Sequence, residues 1–335
     1  MADTTESPTD ESFPNEDAPT ENAAVQASSS MVSPKVALGD RMKSYEAKNE
    51  QNVDPKLPWV VRLDGHKFSH FTKGFRKPFD DRIHNCMVAA CKALLSEFAP
   101  TAIFTCSDEI TMCYPAFEST LPSPDPEASS SSDGDEEPKK TKKKSEQPQI
   151  MMYGGRLQKM ATLMAGLASV AFERELRLQT FDPVVDATCL KYMAKHPPFF
   201  DARIFNVPSV QEIVNNLIWR SHYDYRRNSI SQLARSFYSA KEMHKLNSTD
   251  LLKKMASEKQ TEWSDLPGKY KFGSFFKRQQ YKKSVEVNGN TIEATRTRIV
   301  ELSFCFAKNT EEVCDFITSK FIPDAYKEHI VVNHD

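Results

Sequence analysis

Two apolar runs, each ending in an aspartate, constrain this chain more than any other feature. One is Trp59-Val-Val-Arg-Leu-Asp64-Gly65-His-Lys-Phe68 and the other is Phe104-Thr-Cys-Ser107-Asp108-Glu109-Ile110. Branched and aromatic residues in runs of this length form strands, and a strand projects the next residue from its tip. If the two strands lie side by side, Asp64 and Asp108 meet. Two carboxylates about 4 Å apart repel by about 4 kcal/mol at an effective dielectric of about 20. A divalent cation between them removes that repulsion, and hard cations such as Mg²⁺ take oxygen ligands and bring phosphate with them. The pair therefore points to metal-dependent phosphoryl or nucleotidyl transfer. Either aspartate alone reads as a turn residue. Glu109 points away from Asp108 if the strand alternates, which makes it a supporting carboxylate or an ion-pair partner.

Other chemistries lack their signatures. Only 10 of the 335 residues are glycine, with no G-x-x-x-x-G-K-[ST] or G-x-G-x-x-G, so a P-loop or dinucleotide fold is disfavoured. His66, His70, His84, His222 and His244 form no H-E-x-x-H pair, and neither Ser69 nor Ser107 lies in a G-x-S-x-G setting. The seven cysteines are scattered, with no C-x-x-C, as suits reduced thiols in a cytoplasmic or nuclear protein. No run is long and apolar enough to span a bilayer, so no membrane partner is expected.

The formal net charge of −2 hides an uneven distribution of 44 basic and 46 acidic residues. Residues 1–36 are acidic and rich in Ser, Thr and Pro, which predicts a disordered leader that is neither a signal nor a transit peptide. A second such stretch, 118–149, joins a serine run to Asp133-Gly-Asp-Glu-Glu137 and a lysine cluster, and reads as a disordered insert. Between and after these, strands are expected near 57–63, 101–106, 110–114 and 202–207, with helices near 81–98, 156–177, 209–220, 229–243 and 311–321. Asn288-Gly289 between strand-like runs predicts a hairpin. The order suggests an α+β fold: a polymerase-palm-like, ferredoxin-like antiparallel sheet with helices on one face. The expected division is a palm-like catalytic domain at 37–228 and a helical and hairpin C-terminal region at 229–335.

Five motifs in order then go beyond generic pattern. Arg62-Leu-Asp64-Gly65-His66-Lys67-Phe68-Ser69-His-Phe71 resembles the R-[IL]-D-G-x-x-F-x-x-F motif of the tRNA-histidine guanylyltransferase family. Lys77-Pro-Phe-Asp80 resembles its K-P-x-D element, Ser107-Asp108-Glu109 its S-D-E, Arg156-Leu-Gln-Lys159 its basic helix start, and Phe200-Asp-Ala-Arg203 its F-D-x-R strand. Trp219-Arg220 and Asp224 fit a W-R-x-x-D element with one residue inserted. The resemblance implies addition of nucleotides to the 5′ end of tRNA in the 3′–5′ direction. It implies two Mg²⁺ ions held by Asp64, the Gly65 carbonyl and Asp108, with GTP and ATP as substrates. It implies a triphosphate cradle from the backbone of Gly65, His66, Lys67, Phe68 and Ser69 with Ser107, and Lys77 as a point charge. It also implies a homotetramer. Where the family's enzymes for tRNA-histidine carry H-I-N-N, this chain has Tyr225-Arg226-Arg227-Asn228, which favours the family's relatives that repair truncated tRNA 5′ ends.

Arg156, Lys159, Arg220, Arg226, Arg227 and Asn228 are candidate tRNA contacts. Lys269, Lys271, Lys277, Arg278, Lys282, Lys283, Arg296 and Arg298, interleaved with Tyr270, Phe272, Phe275, Phe276 and Tyr281, fit an RNA surface as a group. The alternatives are a nucleotide cyclase on the same palm, which lacks a G-G-D-E-F-like signature, and a tRNA-binding protein without turnover, which both aspartates argue against.

Overall fold

The computed structural model describes residues 36–116, 151–287 and 290–331. The expected leader apart from Val36, the expected insert and the Asn288-Gly289 turn lie outside the described residues. Helix α1 (Leu38–Ala47) belongs to a first unit, Met1–Asn49, and buries none of its residues. The second unit, Glu50–Asp335, carries the sheet and the remaining helices.

It contains β1 (Trp59–Gly65), α2 (Phe68–Phe71), α3 (Asp81–Phe98), β2 (Ala102–Cys106), β3 (Glu109–Tyr114), α4 (Leu157–Leu176), α5 (Ala187–Lys195) and β4 (Phe200–Asn206). Then come α6 (Val210–Ile218), a π-helical turn Trp219–Tyr225, α7 (Arg226–Ala234), α8 (Ser248–Lys259), α9 (Gly268–Lys271), β5 (Ser274–Val287), β6 (Asn290–Leu302) and α10 (Glu311–Thr318). The six strands form one antiparallel sheet in the order β4-β1-β3-β2-β5-β6. Its first four strands, in the order 4-1-3-2, are the ferredoxin-like βαββαβ core expected from the sequence.

Helix α3 shows how locally the chain specifies this core. Asp80 caps it, accepting from the Arg82 amide at 3.0 Å, a contact worth about 1 kcal/mol. Met87, Cys91, Leu94 and Phe98 recur at helical spacing and are all buried. Ala99 in the left-handed region ends the helix just before Pro100.

One expectation is corrected: helices cover both faces of the sheet. Val61, Leu63, Ile103, Ile110 and Met112 pack with α3 and α4 in one core, while Val60, Phe104, Cys113 and Phe275 pack with α6 and α10 in a second. Strands β2 and β3 are buried at every position, as strands covered on both faces must be. The second cover comes from residues after β4, whose short helices gave no sign of which face they would take.

The C-terminal hairpin is also part of this sheet, because β5 pairs with β2 at Ile103↔Phe276 and Thr105↔Ser274. That pairing removes four residues from the expected RNA surface. Phe275 and Phe276 are core side chains. Lys277 is wholly buried, its Nζ donating to the carbonyls of Thr101, Phe316 and Ser319 at 2.9, 2.5 and 2.5 Å. Arg278 donates to Leu95 O and to Pro100 O, tying β5 to the end of α3. A basic residue in a strand that crosses the core has nowhere to snorkel, so neighbouring backbone carbonyls accept its hydrogen bonds.

Candidate active site

The tips of β1 and the β2–β3 turn meet. Asp64 lies opposite Glu109 in the β1–β3 register, and the Gly65 amide donates to Asp108 O at 3.0 Å. Ser107 turns the chain at φ +52, and its hydroxyl donates to Asp108 Oδ1 at 2.9 Å. Burial raises the Asp108 carboxyl above its ordinary value; the Ser107 hydroxyl opposes this and the nearby Asp64 charge adds to it. The tip of β1 and the β2–β3 turn thus adjoin, which sets Asp64 and Asp108 on neighbouring ends of the sheet.

Glycine is required at 65 because a Cβ there would lie 2.4 Å from the Phe68 ring. That ring packs against Phe172 and Phe200 in the core, at centroid distances of 5.3 and 5.1 Å. Phe68 therefore offers a ligand only its backbone. Of the expected triphosphate cradle, the Gly65 amide is spent on Asp108 and the His66 amide on Phe199 O at 2.8 Å. The amides of Lys67, Phe68 and Ser69 donate to no backbone carbonyl among the described residues. They belong to the cap and first turn of α2, with Lys67 in the left-handed region at φ +53. His66 is exposed and stacks on Phe199 at 4.8 Å.

Beside Asp108 a cleft of about 530 Å³ opens, within the range of small-molecule sites. Ser69, Lys77, Phe79, Ser107 and Asp108 line it from the palm side. Asp80 anchors this wall: the Arg82 fork holds it at 2.7 and 2.9 Å and also grips Asp186, behind the lining. The opposite wall is Tyr225, Asn228, Gln232 and Arg235 from α7 and its approach, with Lys269 and Tyr270 from α9. Tyr270 stacks on Phe79 at 4.4 Å and donates its hydroxyl to Asp81 at 2.7 Å. Sequence reasoning did not place this wall at the cleft; it named Asn228, Lys269 and Tyr270 only as RNA contacts. A signal existed: 225, 228, 232 and 235 recur at helical spacing, while Ile230, Leu233 and Ala234 on the other side are buried.

Glu109 takes the supporting place expected of it. Arg220 Nε donates to Glu109 Oε1 at 2.7 Å, a second guanidinium nitrogen meets Oε2, and the third holds Asp224 at 2.7 Å. Burial raises the Glu109 carboxyl and the Arg220 fork opposes it. Arg220 and Asp224 lie in the π-helical turn, whose i→i+5 repeat takes up one extra residue. This is the residue the motif required as an insertion. Arg220 is thus corrected as a tRNA contact, because both edges of its guanidinium are engaged inside the protein. Arg226 lies over the Trp263 ring at 5.1 Å, Arg227 is exposed beside Asp224, and Asn228 lines the cleft. Arg156 and Lys159 are exposed at the start of α4, far along the chain from α7.

Comparison with known proteins accounts for this arrangement. The sequence pattern of the tRNAHis guanylyltransferase family matches residues 39–208, half of the chain, including both aspartates and the first wall of the cleft. The chain belongs to this family. It is therefore a nucleotidyltransferase acting on tRNA in the 3′–5′ direction. A bacterial tRNA(His) guanylyltransferase-like protein in complex with ATP superposes with a TM-score of 0.61 at 26% identity, covering 84% of this chain and 99% of that one. One in complex with GTP gives 0.56 at 24% identity, over 84% and 98%, a likeness of fold. An uncharacterised protein of Acanthamoeba polyphaga mimivirus is 29% identical over 271 residues, 80% of this chain and 86% of that one. The second wall of the cleft, from Tyr225 to Tyr270, lies beyond the span that the guanylyltransferase pattern matches. No helix among the described residues is long and apolar enough to cross a membrane.

Proposed function

We propose that this guanylyltransferase-family chain extends or repairs tRNA 5′ ends with Mg²⁺ and nucleoside triphosphates, GTP and ATP among them. The observation that carries the reading is the meeting of Asp64 and Asp108 at two strand tips beside a cleft lined by Lys77 and Ser107. The donor set fits a hard cation. Its oxygens come from two carboxylates and the adjoining backbone, and no third His, Cys, Asp or Glu closes a cage among the described residues. An open oxygen pair suits Mg²⁺, which keeps water and binds through one or two carboxylates plus substrate phosphates. Asp64, Asp108 and the Gly65 carbonyl would hold it, and bound there it would activate a 3′-hydroxyl and neutralise charge on the phosphates.

The chain's own groups do the rest. The amides of Lys67, Phe68 and Ser69, the Ser107 hydroxyl and the Lys77 ammonium converge on the triphosphate. Asn228 and Gln232 face the nucleoside, and Phe79 with Tyr270 closes the far end. Arg220 keeps Glu109 in place behind Asp108, so that the turn presents Ser107 and Asp108 in one orientation. Arg156, Lys159 and Arg227 offer exposed charge to tRNA, with the half-buried Arg226 beside Arg227, and a homotetramer completes the reading.

Tyr225-Arg226-Arg227-Asn228 in place of H-I-N-N favours repair over guanylate addition to tRNA-histidine. The test gives the protein two substrates with NTPs and Mg²⁺: tRNA-histidine lacking its extra guanylate, and another tRNA lacking its first nucleotide. Extension of the second at the greater kcat/KM is expected. Extension of the first alone would reverse the assignment, and extension of neither would remove it.

A further inference from the structure

Strand β1 ends between two neighbours of different character. The sheet order β4-β1-β3-β2 puts β3, with the turn that carries Ser107 and Asp108, on one side of Asp64 and β4 on the other. The cleft opens on the Asp108 side. On the β4 side the backbone pairing runs one step past Gly65↔Phe200, because the His66 amide donates to Phe199 O at 2.8 Å. The His66 and Phe199 rings stack there at 4.8 Å, with their planes 22° apart.

The neighbours of Phe199 turn it outward. Pro198 and Phe200 are buried, and the Phe200 ring packs on Phe68 at 5.1 Å. Phe199 between them is 46% exposed, and His66 is exposed as well. Side chains alternate along a strand, so positions 66 and 199 take the side of Asp64 and its register partner Asp201. Phe200 takes the other side, in the core with α3 and α4. Neither stacked ring lines the cleft. A paired aromatic face thus stands open to solvent next to Asp64, on the flank away from the nucleotide.

Nucleotide addition brings together two components, a nucleoside triphosphate and an RNA 5′ end. The cleft takes the first on the Asp108 side, which leaves the β4 side for the second. Every base has a π face, and RNA ends stack on Phe and His rings. His66 lies two residues past Asp64, ~7 Å along the strand, which is comparable to the reach from a nucleotide's base to its own 5′-phosphate. We infer that Phe199 and His66 form a shelf on which the 5′-terminal base of the RNA stacks, so that its phosphate meets Asp64. Lys67 beside His66 and Arg203 one pair further along β4 are exposed, and they outnumber the exposed Asp201, which favours a polyanion over a protein as the occupant. The inference rests on tRNA being the substrate. Stacking of this kind positions the RNA end without reading its sequence.

The test is a cycle of two changes. One removes the ring, in Phe199→Leu, which keeps an apolar side chain. The other removes the base, in a truncated tRNA whose 5′-terminal nucleotide is abasic. Affinity is read by fluorescence anisotropy, which needs no turnover. Each change alone is expected to weaken binding about tenfold, and both together no more than about tenfold, because ring and base act on each other. Phe199→Trp should bind intact RNA at least as tightly as wild type. In extension assays Phe199→Leu should raise KM for the RNA and leave KM for GTP unchanged, and its melting temperature should match wild type. Losses that multiply to about a hundredfold overturn the inference, since ring and base would then act independently. Unchanged affinity of Phe199→Leu for intact RNA overturns it too, whether or not sedimentation shows a contact with a second subunit. An equal rise in KM for GTP does the same, because the ring would then serve the nucleotide. Failure of wild type to extend any RNA would instead count against the nucleotidyl-transfer reading, and the binding cycle would still decide the shelf.

Discussion

The Gly65 amide donates to the Asp108 carbonyl at 3.0 Å, which ties the residue after Asp64, at the tip of β1, to Asp108 itself in the β2–β3 turn. The meeting of Asp64 and Asp108 is therefore fixed by backbone pairing. Gly65→Ala tests how tightly. The added Cβ would fall 2.4 Å from the ring of Phe68, a core residue that cannot swing out. Overpacking at such a site costs about 1–3 kcal/mol. Thermal unfolding should show that loss, and extension activity should fall further than the stability change explains.

Arg220 supports Glu109 by a fork that Lys cannot reproduce. Arg220→Lys should keep the fold and lower kcat on tRNA about tenfold or more, with nucleotide affinity changed less. Arg220→Met leaves the buried Glu109 carboxylate without its main partner and should cost about 3 kcal/mol in denaturant unfolding. Wild-type kcat in the lysine variant would mean that the pair serves stability alone.

Much of this was legible in the chain. Asp64 and Asp108 end apolar runs, and strand geometry alone puts such residues at tips. Asp80, with the helical spacing of Met87, Cys91, Leu94 and Phe98, announced α3. Glu109 was placed by alternation. The features that stayed hidden depended on tertiary placement. Lys277 and Arg278 sit in a basic run and read as solvated, because nothing local reveals that β2 and α10 enclose them. The first half of β5 was masked by those charges. Helix α8 was missed, although Asn247 and Asp250 form a reciprocal cap at its start. The second wall of the cleft comes from residues more than a hundred positions after Asp108, and only the fold brings them back.

Arg82 makes the cleft wall acid-sensitive. It holds Asp80 below the ordinary aspartate value of 3.8 in spite of burial, and it lowers Asp186 as well. A carboxyl lowered in the folded state contributes stability above its unfolded pKa, and that contribution is lost as pH falls through the folded value. Melting temperature should thus hold steady from neutral pH down to about pH 4 as far as these groups are concerned, then drop. Arg82→Met should melt lower at neutral pH, and its deficit should shrink as pH falls below the ordinary aspartate range.

Lys277 is a buried clamp between β5, the residue before β2 and the end of α10. Lys277→Met keeps the volume and leaves three carbonyls without a donor, at about 2–4 kcal/mol in total. Burial pulls the lysine down to about 7, so the unfolded chain binds its proton more tightly between that value and 10.5. Wild type should gain stability relative to Lys277→Met as pH rises from 7 toward 9 in paired thermal melts. An unchanged difference across that range would contradict the assigned burial.

The central claim is that Asp64 and Asp108 hold one cation-dependent site for nucleotide addition. The most direct measurement is Mg²⁺-dependent incorporation of labelled nucleotide at the 5′ end of a truncated tRNA by wild type, Asp64→Ala and Asp108→Ala, with Mn²⁺ binding followed by electron paramagnetic resonance in the presence of GTP. Loss of an outer partner of a metal ligand costs about 10–100-fold, so loss of a ligand itself should cost more than about 100-fold in both incorporation and Mn²⁺ affinity, with the fold intact by circular dichroism. Undiminished incorporation by folded Asp108→Ala would contradict the account.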